Sequence, residues 1–142
     1  MKNTIIAIML TAISCSISGQ AGLLTVKAAG FRNDRGQCLV FVYSASDGFP
    51  FKPDKALIKY TGKITDRKSV FEIKDLEPGT YAVSVVHDEN NNGKTDTNII
   101  GIPTEGLGSS NNPASFGPPS FKSAEFNLDT ESKTITINLK YL

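Results

Sequence analysis

The sequence predicts an all-β protein, an antiparallel two-sheet sandwich of about seven strands. Three observations predict it. Short stretches rich in Val, Ile, Phe, Tyr and Thr recur between clusters of Gly, Pro, Asn and Asp, the pattern of strands punctuated by turns. Several of these stretches alternate apolar and polar residues, the two-residue period of a sheet with one buried face. No window sustains apolar residues at helical spacing over about ten positions or more.

The first strand spans residues 23–29, with Leu24, Val26 and Ala28 on one face. Asn33-Asp34-Arg35-Gly36 is a turn, because Asn, Asp and Gly accept left-handed backbone angles cheaply. Residues 37–43 are apolar on both faces, as a central strand requires. A loop with Pro50 and Pro53 leads to a strand at 56–61, and another follows at 69–73. Leu76-Glu77-Pro78-Gly79-Thr80 turns the chain into a fifth strand at 81–87, again apolar on both faces. The last two strands are expected at 121–128 and 133–139, where Ile135, Ile137 and Leu139 alternate with polar residues.

Between the fifth strand and residue 121 lies a stretch rich in Gly, Pro, Asn and Ser. A loop of about thirty residues inside a compact domain is usually functional or disordered. Ile99, Ile100, Ile102, Leu107, Phe116 and Phe121 give this one apolar anchors, so residues 88–120 are expected to form an ordered excursion over one end of the sandwich.

The chain has 142 residues and a formal net charge of +1, a one-domain length with an ordinary composition. Residues 1–21 read as an export signal, with Lys2, a short apolar run and then small residues. The remaining domain, 22–142, carries 14 basic and 14 acidic side chains. A neutral domain without a basic stripe argues against nucleic acid and anionic membrane surfaces as partners. The apolar run of the signal is too short to span a bilayer. Two ends of the signal stay open: cleavage after Gly19-Gln20-Ala21, or an imperfect lipobox, Thr11-Ala12-Ile13-Ser14-Cys15, which would make Cys15 an acylated first residue and the protein a membrane-anchored lipoprotein. Either end predicts export to the periplasm or the cell exterior. It also leaves Cys38 as a lone thiol, expected to be a small buried hydrophobe.

One motif carries chemistry. Residues 88–96 have the form D-x-N-x-N-G-x-x-D. Calcium takes six to eight hard oxygen ligands, and oxygen-bearing side chains at alternate positions aim them at one centre, with glycine permitting the bend. Asp88, Asn90 and Asn92 would supply side-chain oxygens, Lys94 its carbonyl, and Asp96 a direct or water-mediated contact. Ile99 stands where an EF-hand has its closing Glu, so Glu105 is the candidate to complete the shell. The alternative is a polar turn whose side chains cap their own backbone. His87, the single histidine, is expected to be structural. Asn111 and Asn112 are expected to cap turns, and the phenylalanines to fill the core.

Leu76-Glu77-Pro78-Gly79-Thr80-Tyr81-Ala82-Val83, then residues 87–98, then Gly101-Ile102-Pro103-Thr104-Glu105-Gly106, Ser110-Asn111-Asn112 and Gly117-Pro118-Pro119-Ser120-Phe121 occur in that order. Together they resemble the bacterial exported proteins grouped as domain of unknown function 2141, over residues 23–139. Leu107-Gly108-Ser109 departs from the aromatic segment common there. The resemblance implies export and an immunoglobulin- or prealbumin-like sandwich, and it implies no reaction. With one histidine and no Ser-His-Asp, Cys-His or paired-carboxylate arrangement outside the acidic loop, no enzyme is expected. The expected function is that of an interaction module with calcium as a structural ligand. The alternative is a carrier of a small ligand or carbohydrate that uses a cleft under the 88–120 loop.

Overall fold

The structure, a computed structural model, describes residues 21–114 and 116–142. The expected export signal up to residue 20, with Cys15, lies outside them. The elements are β1 (Gly22–Ala29), β2 (Gln37–Tyr43), a 3-10 turn (Pro53–Lys55), β3 (Ile58–Gly62), β4 (Lys68–Leu76), β5 (Gly79–Asp88), β6 (Gly106–Ser109), α1 (Phe121–Ala124), β7 (Phe126–Leu128) and β8 (Lys133–Asn138).

These strands form an all-β sandwich. One sheet has the order β4-β1-β8, and the other β3-β2-β5-β6, with β7 also paired to β5. The core lies between the sheets. Leu24, Val26 and Ala28 of β1 meet Cys38, Val40 and Val42 of β2 and Val83 and Val85 of β5, with Ile73 and Ile137 from the flanking strands. The double-faced apolar pattern of β2 has its cause in a second cluster. Leu39, Phe41, Tyr43 and Val86 are buried on the outer face, under Phe49, Ala56, Leu107 and Phe121. The central pair therefore has no wet side, which is why its sequence does not alternate.

The structure corrects the sequence reading at four places. Among the described residues there are eight strands, because Gly106–Ser109 of the excursion adds to the edge of β5 as β6. The sandwich is not wholly antiparallel, since β8 lies parallel to β1, with Val26 opposite Ile135. β3 begins at Ile58 because Pro53 starts a 3-10 turn and Ala56 packs over the outer cluster. Residues 121–124 are one helical turn rather than strand. Ser120 caps it by accepting the Ser123 N–H at 3.1 Å, a role its hydroxyl suits after two prolines.

Candidate functional site

β5 ends at Asp88, and the acidic loop grows from that rigid end. Asp88 is fully buried. Its Oδ1 accepts the Asn92 N–H at 3.1 Å, and its Oδ2 accepts the Gly93 N–H at 2.8 Å and the Gln37 side-chain amide at 2.7 Å. Left-handed backbone at Asn91 (φ 57°) and Gly93 (φ 74°) folds the loop back so that these amides reach the carboxylate. Asn90 Oδ1 accepts the Asn92 N–H and Asn92 Oδ1 accepts the Lys94 N–H, at 3.2 and 2.9 Å, two successive Asx turns. The Nδ2 groups of the same two residues donate to Asp96, at 2.6 Å from Asn90 and 2.7 Å from Asn92. Asn90, Asn92 and Asp96 therefore converge, with Asp88 behind them.

Glu105, just before β6, holds the loop shut. Its Oε1 accepts the Glu89 N–H at 3.1 Å and its Oε2 accepts the Asp96 N–H at 3.0 Å. Burial pushes the Glu105 carboxyl upward, the two backbone donors oppose that, and the charges of Asp96 and Asp88 add to the rise. The visible part of Glu105 is a brace between the two ends of the loop. Lys94 contributes its N–H to the second Asx turn, and its side chain is exposed.

The donor set suits a hard cation in chemistry. The Asp96 carboxylate and two amides face one another with Asp88 behind them, and the Thr95 hydroxyl is buried in the same loop without a hydrogen-bond partner. Asn90 and Asn92 turn their nitrogens toward Asp96, so a cation calls for both amides to rotate and present oxygen. Among the described residues no three His, Cys, Asp or Glu side chains are grouped to hold a metal by themselves. A cation here depends on the amides.

The excursion beyond the loop is pinned by asparagines. Asn98 Oδ1 accepts the N–H groups of Ile100 and Ile102, at 3.0 and 2.9 Å. The Asn111 side chain donates to the Glu125 carbonyl at 2.8 Å. Asn112 donates to the Thr136 carbonyl and accepts the Asn138 N–H, both at 2.8 Å. Buried Ser110 accepts the Val83 N–H at 3.0 Å and donates to the Ala124 carbonyl. These side chains tie the excursion to other strands, which goes beyond the local turn capping expected of Asn111 and Asn112.

The apolar anchors of the excursion are fewer than its sequence implies. Leu107 and Phe121 pack on the outer cluster. Ile99, Ile100 and Phe116 stand in solvent, the first and last fully exposed at 103% and 113%. Polar bonds hold this segment, which leaves its apolar side chains outward. Under it opens a cleft of about 410 Å³, walled by Ile102, Pro103, Leu107, Pro118, Pro119 and Leu142, with Lys140 as the charged side chain in its lining.

A family model described as an uncharacterized protein conserved in bacteria, domain of unknown function 2141, matches residues 26–136. The chain belongs to that family. No curated protein and no solved structure matches it.

In this member of the family the titratable candidates are locked into structure. The His87 ring is fully buried. Its Nε2 lies 2.7 Å from the Arg35 carbonyl, which can only accept, so Nε2 carries a proton. Its Nδ1 lies 2.7 Å from the Tyr141 hydroxyl, which also accepts the Arg32 N–H at 3.0 Å. Glu89 stands beside this pair, in ion contact with Arg32 and 3.7 Å from Arg35. Burial works to raise the Glu89 carboxyl, and the hydrogen bonds of Arg32 and Asn33 outweigh it, leaving the group below its usual range. Burial pushes the Cys38 thiol up to about 12, so it stays protonated and unreactive in the folded protein. Gln37, Arg32 and Tyr141, which complete this network, carried no motif in the sequence. Only their placement by the fold reveals them.

Proposed function

We propose that this chain is a non-enzymatic binding module that works outside the bacterial cytoplasm and holds its partner in the cleft under the 88–120 excursion. The observation that carries the reading is the pairing of that apolar cleft with outward-facing Ile99, Ile100 and Phe116 on a segment braced by side-chain hydrogen bonds. Exposed apolar groups held in fixed positions mark interaction sites. The locked histidine and the protonated thiol support a module without catalysis. The signal pattern of residues 1–21 supports export.

The test is native mass spectrometry of the protein isolated from bacterial envelope under mild conditions, beside the variant Ile102→Asp. Ile102 is 42% exposed, so the variant is expected to melt like the parent. A bound mass that the parent carries and the variant loses is the expected result. Identical binding by both proteins would refute the cleft as the site.

Calcium is proposed as a structural ligand of the loop, held by Asp88, Asn90, Asn92 and Asp96 once the two amides turn. Its role is to order the excursion, and it supplies no reaction chemistry. With two carboxylates the affinity falls in the weak range of extracellular modules, about 10⁻⁴–10⁻³ M. At 1 mM calcium the gain in stability is then about 0.4–1.4 kcal/mol, or a rise of several degrees in Tm, and Asn90→Ala abolishes the rise. A Tm unmoved by millimolar calcium and by chelator removes calcium from the account and leaves the cleft reading intact.

A further inference from the structure

The walls of the cleft say what kind of occupant they accept. At three places along them the backbone N–H groups already have partners. Leu107 and Lys140 each donate their N–H to the other's carbonyl, at 2.9 and 2.8 Å. The Ile102 N–H goes to the Asn98 side chain at 2.9 Å, and its carbonyl accepts the Asn98 N–H at 2.8 Å. The Asn138 N–H goes to the Asn112 side chain at 2.8 Å. Prolines 103, 113, 118 and 119 have no N–H to offer. A peptide laid here would find few backbone donors for its own carbonyls, and a buried carbonyl without a donor is costly. An unbranched hydrocarbon has no such groups to satisfy.

The cleft is also the right size and has one handle. Its volume of about 410 Å³ falls within the range of small-molecule sites. Lys140 is the charged side chain in the lining, and its Nζ makes one long contact, 3.5 Å to the Pro113 carbonyl. That leaves the ammonium donors to spare at the edge of an apolar hollow, where an anion would meet them at short range.

Resting on the proposed cleft, we infer that it takes the hydrocarbon chain of a monoanionic amphiphile, with the acid head against Lys140. The chain runs along Ile102, Leu107 and Pro118, and the head stays at the mouth in reach of water. Selectivity follows from the handle. An acid meets the ammonium with a full opposite charge as well as a hydrogen bond, whereas a neutral alcohol of the same length can only accept the hydrogen bond.

The experiment is calorimetric titration of the full protein with sodium dodecanoate below its micellar concentration, and with dodecan-1-ol. Dodecanoate is expected to bind more tightly than the alcohol. Lys140→Gln should weaken the acid by about 10- to 100-fold, the span of one hydrogen bond between charged groups, and weaken the alcohol far less. Ile102→Asp should weaken both. Equal affinities for acid and alcohol, or a Lys140→Gln protein that binds dodecanoate like the parent, would overturn the inference. If dodecanoate fails to bind while Ile102→Asp still strips a native partner, only the amphiphile falls. If Ile102→Asp strips nothing, the binding-module reading falls with it.

Discussion

Replacing Asp88 with alanine is expected to cost about 2–4 kcal/mol, a large share of the stability of an ordinary domain. The carboxylate has no exposure and gathers three donors: two backbone N–H groups of the loop and the amide of Gln37 on the neighbouring strand. Alanine leaves the Gly93 N–H and the Gln37 amide without this acceptor, while the Asn92 N–H keeps Asn90 Oδ1 at 3.2 Å, and each stranded donor costs about 1–3 kcal/mol. Asparagine keeps one acceptor oxygen and should recover part of the loss. Urea denaturation of the three proteins measures this directly. A loss under about 1 kcal/mol for Asp88→Ala, the size of one ordinary hydrogen bond, would mean that the loop does not depend on this residue. These bonds are lost with or without calcium, because the donors are the protein's own, and in calcium the variant loses a proposed ligand as well.

Gly36→Ala is expected to cost about 3 kcal/mol, for a separable reason. Gly36 sits in left-handed backbone, φ 73°, at the turn before β2. A Cβ there would come 2.1 Å from the Asp88 carbonyl oxygen and 2.6 Å from the Glu89 Cα. Both are backbone atoms, so no side chain can swing aside. The change combines the left-handed penalty for a residue with a Cβ, about 1 kcal/mol, with an overpacking cost of about 1–3 kcal/mol. Because the clash falls on the first two residues of the acidic loop, the same variant should raise amide hydrogen exchange across 88–96 before it does so in β1. Thermal melts with exchange measurements read both quantities. A variant as stable as the parent, with an unchanged loop, would show that the turn can move away from β5.

What could be read from residues alone followed from local rules. β1, β2 and β5 were legible because period-two alternation, or its loss on both faces, is written within each strand. The Asx spacing of residues 88–96 was legible for the same reason, since Asn90 and Asn92 act on backbone two positions along. Long-range pairing was not. Nothing near Gly106 marks it as a strand, because β6 owes its existence to the open edge of β5. The parallel partnership of β8 with β1 is likewise decided by the closing of a sheet, and the helical turn at Phe121 by a cap on Ser120. At the site, Arg32 lies in the turn before β2, Gln37 opens β2 and Tyr141 follows β8, all distant in sequence from the residues they hold. The apolar side chains of the excursion read as anchors because composition cannot distinguish an isoleucine that packs from one that is held out by an asparagine.

The first strand of the sandwich finds its neighbour in the last, with Leu24 alongside Lys133 and Ala29 alongside Asn138. Their pairing must close a loop through the whole of the sandwich before a single hydrogen bond between them forms. Joining segments so distant in sequence places the fold among the topologies that assemble slowly. β1 stays open on that edge until β8 docks, while its other edge can already hold β4.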